Sequence, residues 1–307
     1  MTTKIRIHAT LLATCVAMAA MPSVFGQSLT TFDGFTAGQS VNGQNGWNAT
    51  GNWDEEVVDL GGNLAWRVSN ASTAGSFGNM PTSAPSGFYS GESGATHVAS
   101  GNPANTSTFY GSFDFWSVTG AAQDGLRLTI SPDDGTGSRQ SFIRIEDNGA
   151  TGFDLVFYDS QDNHPVTNMN GGFHAPVTVA TGLSYTDVHN IAFEINFVDG
   201  IEIDGGTGLV NGNDIVNIYV NDSLAHSGTT WESYFWTTNE GQTPPSVRAV
   251  DQLMFRISGT EAPDLAGGGL YIDNVFTSNA VPEPGTIALA GLAGVAGLAI
   301  VRRRRRK

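Results

Sequence analysis

Apolar and polar residues alternate along most of residues 27–280, and no long helical period interrupts them. Eight stretches show the alternation most clearly. Four follow closely on one another: 109–118 (FYGSFDFWSV), 125–131 (GLRLTIS), 141–147 (SFIRIED) and 153–159 (FDLVFYD). Four come later: 191–198 (IAFEINFV), 215–220 (IVNIYV), 252–258 (QLMFRIS) and 269–277 (GLYIDNVFT). A period of two gives each strand one buried and one wet face. Asp133-Asp134-Gly135, Asp147-Asn148-Gly149 and Asn221-Asp222 supply turn chemistry between them. The pattern predicts an all-β, two-sheet antiparallel sandwich of jelly-roll type. Trp66 and Trp116 fall within alternating segments and are expected in the core. Residues 70–107 are poor in large apolar side chains and read as a long surface loop.

The two ends break this pattern. Lys4 and Arg6 precede an apolar run over 9–20, and Val24 and Gly26 offer small residues at the −3 and −1 positions of a cleavage site. Residues 1–26 therefore read as a secretory signal peptide. At the other end, Val281-Pro282-Glu283-Pro284-Gly285 leads into sixteen uncharged residues, 286–301, and then into Arg302-Arg303-Arg304-Arg305-Arg306-Lys307. The uncharged run would span about 24 Å as a helix, short of a bilayer core of about 30 Å but within reach of snorkelling arginines. Six cations hold that end in the cytoplasm, so the ectodomain 27–280 lies outside. The expected organisation is thus a signal peptide, one sandwich, and a tail at 281–307 made of a transmembrane helix and a basic stop.

Charge sharpens the reading. Residues 27–280 hold 28 acids against six arginines (Arg67, Arg127, Arg139, Arg144, Arg248 and Arg256) and no lysine, a formal −22. Such a domain repels nucleic acid and anionic lipid, and an anionic polysaccharide would need a cation bridge. The one cysteine, Cys15, lies in the signal peptide, so the ectodomain has no disulfide and no thiol nucleophile.

Catalytic candidates are thin. Glu202-Ile203-Asp204 begins a carboxylate-bearing strand pattern, but Gly206, Thr207 and Gly208 stand where a second acid would be required. His97, His164, His174, His189 and His226 show no metal-ligand spacing and read as solvated loop residues. No Gly-x-Ser-x-Gly elbow occurs. The chain therefore reads as a non-enzyme, with a divergent glycoside hydrolase-like activity as the alternative. Asp199, Asp204, Asn211, Asn213 and Asp214 form an oxygen-rich stretch suited to calcium or simply to capping turns. Trp53 and Trp236 stand beside polar loops and are the candidate platforms for sugar rings, while core packing is the competing role for each.

Pro282, Glu283 and Pro284, the apolar stretch and the cluster beginning Arg302, Arg303, Arg304 resemble the PEP-CTERM sorting signal of exopolysaccharide-producing bacteria. That resemblance implies handling by an exosortase-type membrane protease and delivery to the cell surface or extracellular matrix; an uncut single-pass anchor is the alternative. Thr31-Phe32-Asp33-Gly34-Phe35, Gly43-Gln44-Asn45-Gly46-Trp47, the segments 213–222 and 228–234, and the closing 269–275 resemble concanavalin A-like and laminin G-like jelly rolls. This second resemblance implies glycan contact and a structural calcium tying the first strand to the last, with Asp33 and Asp273 in the corresponding neighbourhoods. The combined expectation is an exported, non-catalytic matrix protein associated with extracellular polysaccharide. A protein-adhesion or surface-layer module is the other non-enzymatic reading.

Overall fold

The computed structural model describes residues 26–74, 80–97, 100–135, 141–149, 151–158, 176–199, 214–231 and 249–280. The signal-peptide segment 1–25, Trp236, the Glu202–Asp204 stretch and the whole tail 281–307 lie outside the described residues. Among the described residues no helix is long and apolar enough to cross a membrane.

Among the described residues, thirteen strands build two antiparallel sheets. They are β1 (Gln27–Thr30), β2 (Glu55–Asp59), β3 (Leu64–Val68), β4 (Thr108–Ser117), β5 (Leu126–Asp133), β6 (Ile143–Asp147), β7 (Phe153–Phe157), β8 (Val177–Leu183), β9 (His189–Asn196), β10 (Ile215–Val220), β11 (Ser223–Thr229), β12 (Gln252–Gly259) and β13 (Leu270–Ser278). The large sheet runs β11-β10-β9-β4-β13-β3-β2, and β1 also pairs with β13. The small sheet runs β12-β5-β6-β7-β8. The expected two-sheet sandwich is therefore present, and all eight stretches picked out by alternation contain strands.

The five strands outside those eight stretches are β1, β2, β3, β8 and β11. Four of them end a sheet or, like β1, pair on one side only. An outermost strand leaves its positions partly exposed, so nothing forces one face to be filled with large apolar side chains: β11 reads SLAHSGT and β8 reads VTVATGL. β3, packed between β2 and β13, bears the core residues Trp66 and Val68, and β2 contributes Val57 alone.

The core lies between the sheets. Phe109, Phe113 and Phe115 of β4, Ile191, Phe193 and Ile195 of β9, and Leu270 and Ile272 of β13 face Leu128, Ile130, Leu155, Phe157, Leu253 and Phe255 of the small sheet. Gly111 continues the inward row of β4, where a Cβ would stand 2.9 Å from Phe193 Cζ and 3.1 Å from Leu253 Cδ2. The missing side chain is the space those two occupy. Trp47, delivered by the loop before β2, stacks on Phe255 at 5.8 Å, and Trp66 meets the same ring edge-on at 5.2 Å. These rings weld the opening loop to both sheets.

Two expectations are corrected. The described parts of residues 70–107 are not a free surface loop: residues 74 and 81–86 run along the outer edge of β12. Ala74 N donates to Ile257 O, Phe255 N to Pro81 O, Ser83 N to Leu253 O and Ser86 N to Asp251 O. An open strand edge invites pairing with other chains, and the low-apolar segment covers it with backbone hydrogen bonds rather than with greasy side chains. His97 and His189 are likewise buried rather than solvated. His189 packs on Phe115 at 5.5 Å, with its Nε2 2.9 Å from Ser184 O.

Candidate functional site

The outer face of the large sheet gathers the polar and aromatic side chains that the core excludes. Its centre is a bulge in β13. Asp273 pairs with Asp114 of β4, then Phe276 pairs with Ser112, so two residues, Asn274 and Val275, stand against Phe113. Asn274 takes a left-handed conformation (φ 50°), which asparagine tolerates better than most residues. Its Nδ2 donates to Asp114 Oδ2 at 2.7 Å, Asn190 Nδ2 donates to Asp114 Oδ1 at 2.7 Å, and Asn63 Nδ2 donates to Asp273 Oδ2 at 3.3 Å. Burial pushes the Asp273 carboxyl up to about 6, and the charges of Asp114 and Asp33 add to the rise. The first and last strands thus do bring Asp33 within electrostatic reach of Asp273. Their oxygens, however, serve neighbouring amides and Thr31, whose Oγ1 lies 3.2 Å from Asp33 Oδ2. Among the described residues, no group of three acidic, histidine or cysteine side chains has metal-holding geometry. The carboxylate–amide ladder is a stitch across β3, β13, β4 and β9.

One rung further along lies an aromatic row. Trp116 of β4 pairs with Tyr271 of β13, and Tyr271 pairs with Arg67 of β3, which pairs with Glu56 of β2. The two rings are 5.4 Å apart, tilted by 41° and half-buried. Trp116 is therefore not a core residue as expected; it points outward because Phe113 and Phe115 already hold the inward positions of β4. Arg67 donates from Nη1 and Nη2 to both Asp54 oxygens at 2.9 and 2.8 Å, and from Nε to Glu56 at 3.2 Å. Burial of Asp54 alone would raise its pKa. Hydrogen bonds from Arg67, Ser69 and Gly267, with the Arg67 charge, bring it instead down to about 2. The fork clamps the rim of the row rigidly.

The other tryptophan candidates divide differently. Trp53 packs partly against the core, donates Nε1 to Thr50 O at 3.1 Å, and lies over Gly51, where a Cβ would stand 3.0 Å from the ring. One of its faces is thereby covered. Trp231 is buried and donates Nε1 to Tyr158 O at 2.6 Å.

A second polar cluster is buried at the end of the sandwich where β5 finishes and β12 begins. Asp133, Asp134 and Asp251 are nearly fully enclosed, and His97 Nε2 lies 3.6 Å from Asp251 Oδ1. Burial pushes Asp251 up to about 7, and the charges of Asp134 and Asp133 add to it. Asp214, from the oxygen-rich stretch, is buried too; it accepts from Val198 N at 2.9 Å and Thr230 Oγ1 at 2.9 Å. Burial also raises its pKa, with Glu92 contributing. Asp199 accepts from Ser93 N at 2.7 Å. Asp133, Asp134, Asp251 and Asp214 are thus enclosed, while Asp199 ties its loop to Ser93 from an exposed position.

The fold and its faces define an antiparallel jelly-roll-like β-sandwich. The chain also carries the PEP-CTERM protein-sorting motif, matched over residues 280–306, which implies an exported, cell-surface protein. Among solved structures, the chain is similar to the alginate lyase Aly36B (11% identity, covering 82% of this chain and 96% of that one, TM-score 0.41). It is also similar to domain 4 of AbnA, an extracellular arabinanase from Geobacillus stearothermophilus (11%, 85% and 97%, TM-score 0.40). A third is the Bacillus licheniformis β-glucanase (13%, 82% and 97%, TM-score 0.36). At these identities and scores no activity transfers from them. No curated protein matches the chain.

Proposed function

We propose that this is a non-catalytic surface or extracellular-matrix protein that binds glycan through the outer face of its large sheet, after an exosortase-type protease has processed its tail. The observation that carries the reading is the placement of Trp116 beside Tyr271 on the two central strands of that sheet, β4 and β13. Sugar rings present an apolar C–H face and a rim of hydroxyls. Paired half-exposed aromatic rings bury the first, and the neighbouring Glu56, Asp114 and Asn190 are suited to the second. A site on central strands is also held more rigidly than one on loops. The sorting motif supports the setting, because it addresses the chain to the cell surface.

A non-catalytic role is supported by how the described carboxylates are engaged. Asp114 and Asp273 form the one outward-facing, directly opposed acid pair on this face, and amide donors hold both. Catalysis of glycoside hydrolysis requires a free acid and a free base or nucleophile.

The test is binding of the purified protein to a glycan array, followed by titration of the best neutral ligand. Trp116→Ala and Tyr271→Ala are each expected to weaken it about tenfold, the equivalent of about 1.4 kcal/mol. Trp53→Ala is expected to leave it unchanged. Unaltered binding in both platform variants would refute the assignment, and release of reducing sugar by the wild type would replace it with an enzyme.

A further inference from the structure

A row of register partners crosses six strands on the outer face of the large sheet. Leu29 of β1 pairs with Phe276 of β13, Phe276 with Ser112 of β4, Ser112 with Ala192 of β9, Ala192 with Tyr219 of β10, and Tyr219 with Leu224 of β11. Five strand spacings make the row roughly 24 Å long. Leu29 and Leu224 are 55% and 60% exposed, and Phe276 and Tyr219 are half-buried. Ser112 and Ala192, small and buried, form a low floor between the two rings. Both rings are held in place: Phe276 meets Tyr110 edge-on at 6.0 Å, and the Tyr219 hydroxyl donates to Glu194 Oε2 at 3.1 Å. Trp116 lies farther along β4, roughly 13 Å from Ser112, so this row is separate from the Trp116–Tyr271 pair.

Carboxylates flank the row on both sides. One rung towards Trp116 stand Asp273 and Asp114; one rung the other way stands Glu194, between Tyr110 and Asn217. Their hydrogen-bond partners are neutral. Asp114 accepts from the side-chain amides of Asn274 and Asn190, and Asp273 accepts from Asn63 Nδ2 and Asn274 N. Glu194 accepts from Asn196 Nδ2 at 2.7 Å and from Tyr219. Such donors leave the negative charge in place, and among the described residues none of these three acids forms an ion pair. Arg67, a cation of the same face, is held by Asp54 and Glu56.

A contiguous exposed apolar strip marks an interaction surface, and here charge decides the occupant. A second copy of the domain would bring like carboxylates against these, and an acidic polysaccharide or anionic lipid is repelled in the same way. A neutral chain would fill the row but take the flanking charges out of water without a partner. We propose that the row seats a linear polysaccharide of amino sugars, with its ring faces on Phe276 and Tyr219 and its ammonium groups against Asp114, Asp273 and Glu194. Pyranose faces are apolar, and amino substituents project from the ring edge, where the two flanking rungs lie. The formal −22 of residues 27–280 draws such a chain in at long range. This inference goes beyond the Trp116–Tyr271 platform and stands whether or not that pair binds neutral glycan.

The experiment is calorimetric titration of the full-length protein, purified in detergent, with a β-1,4-linked glucosamine hexamer and with its fully N-acetylated counterpart, which has the same backbone and no charge. Salt at about 0.15 M shortens the Debye length to about 8 Å and suppresses binding by the net field. The wild type is expected to bind the glucosamine hexamer at least tenfold more tightly than the acetylated one. Phe276→Ala/Tyr219→Ala should weaken the glucosamine hexamer about tenfold. Asp114→Asn/Glu194→Gln should cut the preference for the amine about fivefold. Asp124→Asn/Glu261→Gln removes two exposed charges beside β5 and β12 of the other sheet and should leave binding unchanged. Should the Asp114→Asn/Glu194→Gln variant fail to fold by circular dichroism, Glu194→Gln alone replaces it and is expected to cut the preference about threefold. Four results would overturn the proposal: no binding of the glucosamine hexamer, equal binding of the two hexamers by the wild type, equal losses in the folded charge variants of the two sheets, or an affinity unmoved by the ring variant.

Discussion

Asp251 makes the stability of this protein depend on pH in an unusual direction. Its carboxyl is 3% exposed and faces Asp133, Asp134 and His97. Burial and the two neighbouring acids raise it from the ordinary 3.8 to about 7. A raised carboxyl contributes nothing differential below about pH 4, where folded and unfolded chains are both protonated. As pH climbs towards 7, the unfolded chain ionises while the folded one holds its proton, and stability falls. Roughly three units at about 1.4 kcal/mol each set a ceiling of about 4 kcal/mol above pH 7, and relaxation of the site reduces it to about 2. Asp273, raised to about 6, acts in the same direction. Replacing Asp251 with Asn removes the charge at constant shape. In EDTA, which keeps divalent cations off the carboxylates, the thermal midpoint of the wild type is expected to drop between pH 5 and pH 8. Asp251→Asn should nearly match the wild type at pH 4 and exceed it by about 4–8 °C at pH 8, taking about 2–4 °C per kcal/mol for a domain of this size. A wild-type midpoint that rises over that interval, or a variant no more stable than wild type at pH 8, would refute the reasoning.

Three further outcomes follow from other parts of the molecule. Gly111→Val forces side-chain atoms into the space of Phe193 and Leu253 and should cost about 1–3 kcal/mol, read as a lower urea midpoint with an unchanged slope. Arg67→Gln strips the buried clamp from Asp54 and should cost about 3 kcal/mol near neutral pH. Because Asp54 is held down at about 2, its ion pair contributes above pH 4 and is lost as pH falls through 2, so the deficit should shrink across that window in acid-unfolding curves. Intact-mass analysis of the exported protein should give a C-terminus within residues 281–284; a mass that retains Lys307 would indicate an uncut anchor.

The alternation of residues 109–118 made β4 legible, because a strand at the centre of a sheet must fill one face with Phe109, Phe113 and Phe115. The edge strands β8 and β11 were not, since half-exposed positions impose no pattern on residue choice. The turn at Asn221-Asp222 was readable from residue type alone, and both residues do take positive φ, 49° and 64°. The proposed binding face was largely hidden. Trp116 looked like core because strand parity does not say which side meets the opposing sheet. The placement of Arg127, Arg144 and Arg256 on one sheet face was invisible because register between strands far apart in the chain is written in no local segment.

The sequence by itself determined the sandwich class, the central strands, the absence of cysteine from residues 27–280 and the C-terminal sorting motif, each a property of short contiguous stretches. Only the tertiary structure decided which acids are buried together, which aromatic rings face outward, and that three of the four described arginines share one sheet face in a domain whose average charge is strongly negative. The physical reason is the same throughout: propensity and periodicity act along the chain, whereas burial, charge and ligand contact act across strands whose partners are chosen by closing the core.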